Sequence, residues 1–140
     1  DNAFASNGNT GAFIQSFDMQ TLATALKGEA LYARNEGIKH ILYEGGPHPI
    51  PSNPINNAGW NAINADPSME AKMVELGDVL HQAGVDLSVY FQTAGGYWAY
   101  TPDISDFNSP KYRAIDTLRT TRPRQARPSI GNRPMKCAGT

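Results

Sequence analysis

Residues 40–49 read HILYEGGPHP. Ile41, Leu42 and Tyr43 are strand formers. Glu44 places a charge at their end, and Gly45 and Gly46 let the backbone turn away sharply. A strand has little use for a terminal carboxylate unless that group meets solvent, a partner or a substrate. The segments on either side decide what kind of sheet this strand joins. Upstream, SFDMQTLATALKGEALYARNEG (16–37) carries Met19, Leu22, Ala23, Leu26, Ala30 and Ala33 at spacings of three and four, the pattern of one helix face. Ser16 or Asp18 supplies its cap, and Gly37 suits the left-handed position past its end. IKHILYE (38–44) follows as a strand. Downstream, Asp66 and Pro67 mark a helix start. Met69, Met73, Leu76, Leu80 and Ala83 form its apolar stripe, and Gly84 closes it. VDLSVYFQ (85–92) is a second strand. Ser109 and Pro110 open a third helix, with Tyr112, Ile115 and Leu118 expected to face inward.

The order is therefore helix, strand, helix, strand, helix, which predicts an α/β fold with parallel strands joined by crossovers. Residues 1–16, the stretch 45–65 and TAGGYWAYTPDISDFN (93–108) are rich in Asn, Gly, Pro and Ser, and read as irregular. Both helix-to-strand links are short and carry a glycine. Both strand-to-helix links exceed the usual ~2–6 residues. In a parallel sheet such links emerge at the carboxyl edge, where α/β proteins put their sites. Spacing alone thus places Glu44 at the functional edge.

The bulk properties set limits. A chain of 140 residues suits one ordinary domain. It has no apolar run of membrane-spanning length. It begins with Asp and no signal segment follows, so a processed product or a piece of a longer protein is expected. With one cysteine, Cys137, it forms no internal disulfide. Residues 1–118 hold all thirteen acids and six of the twelve Lys and Arg, whereas the segment from Arg119 onward holds five Arg, one Lys and no acid. The body is near −7 and the tail near +6. The tail lacks aromatic interleaving, so a linker or disordered end is favoured over a nucleic-acid binder. The expected organisation is an irregular segment 1–16, a folded part 17–119 and a basic, Pro-containing tail 120–140.

Several residues are candidates for chemistry. Glu44 at a strand tip could act as nucleophile, general base or metal ligand, or simply pair with an Arg or cap the turn. Tyr97, Trp98 and Tyr100 crowd the second long link, either to stack on sugar rings or to plug the edge of the core. Trp60 in the first link has the same two readings. Gln92, near the end of the second strand, could hydrogen-bond a ligand hydroxyl. His48 follows Glu44 by four residues and reads as a hydrogen-bonding loop residue, because His40 and His81 lie on other elements and complete no metal site. Asp103 and Asp106 match no calcium-loop signature. No phosphate loop, dinucleotide fingerprint or nucleophile elbow is present, so no cofactor and no metal is expected.

Two separated motifs, in order and at a sensible distance, carry a resemblance. LYEGG with His48 resembles the YEGGQH stretch of cellulase-like glycoside hydrolases. GYWAYTPDISDFNSPKYRAIDTL (96–118) resembles the sequence after their last strand, where a Trp precedes an acidic loop and SPKY. From about Phe17 to Leu118 the chain is thus similar to the C-terminal part of a (β/α)8-barrel, or TIM-barrel, glycoside hydrolase of the two-glutamate clan. The resemblance implies the last two βα units of the barrel and the helix before them. It implies Glu44 as the catalytic nucleophile, Trp98 as floor of the sugar site, and Tyr97 and His48 as lining of the pocket; Gln92 and Tyr43, on the strands beside them, are further candidates for substrate binding. It also implies a polysaccharide substrate and a secreted or periplasmic setting. Pro47 stands where the pattern has Gln. The clan's acid/base glutamate ends the fourth strand as Asn-Glu, and the only Asn-Glu here, Asn35–Glu36, falls at a helix end. A full barrel takes ~250 residues, so the isolated chain is expected to be inactive and to need the remaining strands, or a second copy, to cover its own. A non-catalytic carbohydrate-binding or structural barrel and a small self-associating α/β domain are the competing readings.

Overall fold

The computed structural model describes residues 9–45, 57–95 and 99–121. Seven elements follow one another there: α1 (Thr10–Gln15), α2 (Met19–Asn35), β1 (Ile41–Gly45), α3 (Asn57–Ala65), α4 (Ser68–Ala83), β2 (Leu87–Tyr90) and α5 (Pro110–Thr121). The fold is mixed α/β and mostly helical, with one two-stranded parallel sheet of β1 and β2. The parallel pairing is as the alternation of elements predicts.

The two helices with the clearest stripes form where the spacing put them. Asp18 caps α2 by accepting the amides of Gln20 and Thr21, which satisfies two of the orphan donors at a helix start. Ala23, Leu26, Ala30 and Ala33 are its buried face, and Met19 and Leu22 pack against the same core. In α4 the buried residues include Met69, Met73, Leu76, Leu80 and Ala83. Asp66 accepts the amide and hydroxyl of Ser68 and the hydroxyl of Thr10. It therefore caps α4 and ties α1 to it. Gly84 ends α4 in the left-handed region at φ 88°, and a β-carbon there would come within 2.8 Å of the Arg34 guanidinium.

Three expectations change. Thr10–Gln15, read as loop, is helical: Asn9 caps it and Ile14 is fully buried in the core. Asn57–Ala65, read as irregular from its Asn and Gly, is also helical, and Ile63 drops into the core beside Met69. In both, burial of a single large side chain outweighs weak local propensity. The third concerns α5, whose inward face is wider than the expected one. Pro110, Lys111 and Ala114 are buried there, and the expected Tyr112, Ile115 and Leu118 are half-buried, Ile115 against the core. Leu118 meets α4 at Gly77. Gly77 has no side chain, so Leu118 lies across it, and a β-carbon at Gly77 would meet Leu118 Cδ1 at 2.6 Å.

Among the described residues, the core packs on the side of the sheet that Leu42 and Tyr90 face, and Ile41, Tyr43, Leu87, Val89 and Phe91 stand exposed. His40 and Asp86 lock the amino ends of the strands. The amide of His40 donates to Asp86 Oδ2 at 2.9 Å, and the amide of Asp86 to the His40 carbonyl at 3.0 Å.

Candidate functional site

Glu44 lies at the carboxyl end of β1, and the strand register decides where it points. Ile41 pairs with Leu87, Leu42 with Ser88 and Gly45 with Tyr90. Between the last two pairs β1 advances three residues while β2 advances two. Tyr43 and Glu44 thus stand together opposite Val89, as in a β-bulge, which re-aims side chains at a sheet end. Strict alternation would send Glu44 to the side of Leu42, among the helices. The extra residue breaks that alternation, and Tyr43 and Glu44 are both exposed. Gly45 follows the bulge against β2. Its backbone passes so close to β2 that a β-carbon would lie 3.3 Å from Ser88 Oγ and 3.6 Å from the Val89 carbonyl oxygen.

Of the other predicted site residues, Tyr43 is 74% exposed beside Glu44. Gln92 follows β2, and the peptide joining Phe91 to it is cis. Its amide nitrogen donates to the carbonyl of Ala94 at 3.1 Å and to that of Gly95. The nitrogen thus braces its own loop. His48, Tyr97 and Trp98 lie outside the described residues. Trp60 belongs to α3.

Tyr100, the third aromatic of the second link, takes the core-plugging role. It is 5% exposed, with its ring edge-on to Tyr90 at 5.2 Å. Its hydroxyl is buried without a hydrogen-bond partner. Burial first, and then the neighbouring Tyr90, push its ionisation well above the usual tyrosine range. Asp103 and Asp106 build turns. Asp103 accepts from the amide and hydroxyl of Ser105, and Asp106 from the amide of Asn108. Among the described residues no cluster of His, Cys, Asp or Glu could hold a metal ion. None of their helices is long and apolar enough to cross a membrane.

One feature was not anticipated. A cavity of about 450 Å³ opens between the end of α3 and the start of α5, lined by Asn61, Asn64, Tyr100, Asp106, Ser109 and Lys111 among others. Neither Glu44 nor any residue of β1 or β2 lines it. Lys111 is 2% exposed, and its ammonium donates to the Ala99 carbonyl at 3.0 Å. Burial pushes its pKa down to about 8. A signal for it was present: Lys111, Ala114 and Leu118 share one helix face at spacings of three and four, which is the face that turned inward.

No family model matches the chain, and neither a curated protein nor a solved structure matches it.

Proposed function

We propose that the chain carries the last two βα units of a (β/α)8-barrel protein of the two-glutamate glycoside hydrolase type, with Glu44 as its nucleophile. The observation that carries this reading is the bulge. It breaks strand alternation at Glu44, which stands exposed beside Tyr43 at the carboxyl end of two adjacent parallel strands. Helices packed behind the strands and exposed apolar residues along them are the arrangement of consecutive barrel units, whose inward side chains fill the barrel interior. On this reading the Glu44 carboxylate attacks the anomeric carbon and forms a glycosyl ester. A second carboxyl group, ~5–5.5 Å away, protonates the departing oxygen and later activates water. That second group belongs to the upstream units. Tyr43, exposed beside Glu44, meets the sugar, joined by Trp98, Tyr97 and His48 as the motif resemblance implies, and by Gln92 through its carbonyl oxygen.

The test uses the polypeptide in which the upstream units precede this segment. A set of 2-deoxy-2-fluoroglycosyl fluorides of the common hexoses and pentoses is offered, and the ester is located by peptide mass mapping. The expected ester is on Glu44 and is absent in Glu44→Gln. An ester on another carboxylate, or glycoside turnover unchanged by Glu44→Gln, overturns the assignment.

A further inference from the structure

We infer that Lys111 and Ser109, at the start of α5, are positioning residues for the site: they hold the loop that follows β2, and through it the Gln92 carboxamide that meets the sugar. The inference rests on the proposed role of Gln92 as a substrate-binding residue.

The loop returns through Ala99, Tyr100 and Thr101 alongside its own outgoing arm. The amide of Tyr100 donates to the Gln92 carbonyl at 3.2 Å, that of Thr101 to the Thr93 carbonyl at 3.3 Å, and that of Gly95 to the Thr101 carbonyl at 3.1 Å. These bonds stitch the two arms together. The Gln92 side chain belongs to the same stitching, because its Nε2 donates to the carbonyls of Ala94 and Gly95. With both donors of the carboxamide spent, its oxygen is what it offers a ligand, as acceptor for a hydroxyl.

The start of α5 ties the stitched arms to the body of the molecule. Lys111 Nζ donates to the Ala99 carbonyl at 3.0 Å, and Ser109 Oγ donates to the Tyr100 carbonyl at 2.5 Å. The two carbonyls are consecutive, so the returning arm is gripped at adjacent peptide groups. Both donors are buried, Lys111 at 2% and Ser109 at 8% exposure. A buried carbonyl that loses its donor bears the full cost of its desolvation, so the arm shifts once either grip is cut. A shift of about 1 Å in a binding group is enough to be felt in the kinetics. Lys111 is also a poor choice for the fold alone. Burial disfavours its charged form, and an apolar side chain on that face would carry no such cost. Local rules broken in this way mark functional sites, and what the ammonium holds is the loop that carries the Gln92 partners.

The test uses the polypeptide in which the upstream units precede this segment, with the aryl glycoside of whichever sugar labels Glu44. Lys111→Met keeps the length of the side chain and removes the donor. It is expected to raise KM roughly 3–10-fold, the worth of one hydrogen bond. kcat should stay within about twofold, because a contact made equally in ground and transition state is uniform binding. Combined with Gln92→Ala, it should add nothing to the KM of Gln92→Ala alone, since both changes remove the same contact. Deuterium exchange read on peptides should speed up in 92–101 and stay unchanged in α4. If Lys111→Met does not fold, the same readings on Ser109→Ala decide. An unchanged KM, unchanged exchange in 92–101, or an effect that multiplies in full with that of Gln92→Ala overturns the inference and leaves the ester on Glu44 standing. A wild type that forms no ester on Glu44 overturns the reading of the site, and this inference with it.

Discussion

Lys111 shows what one buried charge does to the chain. Its ammonium is held by the Ala99 carbonyl, but its surroundings disfavour the charged form. The folded-state pKa, about 8, lies below the 10.5 of a free lysine. Between those values the unfolded chain binds the proton and the folded chain does not. Stability therefore rises with pH across that window, by a ceiling on the order of 3 kcal/mol for a shift of this size. The expected outcome is a thermal midpoint that climbs from pH 7 to pH 10 and a much flatter profile in Lys111→Met. Equal slopes for the two proteins would remove the burial argument. The opposite sign holds at Asp66. The Ser68 and Thr10 hydroxyls and the Ser68 amide hold its carboxyl below the usual carboxylate range, so its contribution is present above the unfolded pKa and fades as acid protonates it.

At the scale of elements, two glycines in helices make opposite predictions. Gly28 sits in the middle of α2 with nothing within 4 Å of where a β-carbon would be. Gly28→Ala should stabilise by about 0.5–1 kcal/mol through helix propensity alone. Gly77 is where α4 meets α5, and a β-carbon there would strike Leu118. Gly77→Ile should cost about 1–3 kcal/mol, the usual penalty of overpacking. Urea unfolding of both variants checks the pair, and a Gly77→Ile protein as stable as the wild type would show that Leu118 swings away freely. The stripes of α2 and α4 were legible because each has five or six apolar residues in one register. Helix α1 and helix α3 were not, since their sequences carry Asn and Gly and each rests mainly on one buried isoleucine, Ile14 or Ile63. The burial of Lys111 on α5 was missed because a lysine marks a surface in most helices, and here it lies on the buried side.

At the scale of the whole molecule, the exposed end of the sheet dominates. On the proposed reading, retaining hydrolysis needs two carboxyl groups on opposite sides of the bond, and that end offers Glu44 for one of them. The purified 140-residue chain is expected to leave aryl glycosides intact. Turnover by that chain, lost in Glu44→Gln, would mean that its second carboxyl group also lies within these residues. The site itself was half legible. Loop lengths placed Glu44 at the carboxyl edge, and the parallel pairing of β1 with β2 agrees with that placement. The register break at Tyr43–Glu44 was not readable, because strand alternation alone carries no sign of it. The cavity beside Lys111 was equally hidden, being assembled from segments more than thirty residues apart.

By itself the sequence determined the alternating order of strands and major helices, their caps and glycine stops, and the parallel sense of the sheet. These follow from short-range periodicity and backbone sterics, which any eight to twenty residues carry within themselves. Only the tertiary structure decided the bulge at Tyr43–Glu44, the burial of Lys111 on α5 and the exposure of Ile41, Tyr43, Leu87 and Val89. Each depends on how distant segments share space: β1 beside β2, Lys111 against the Ala99 carbonyl, and the core packed on Leu42 and Tyr90.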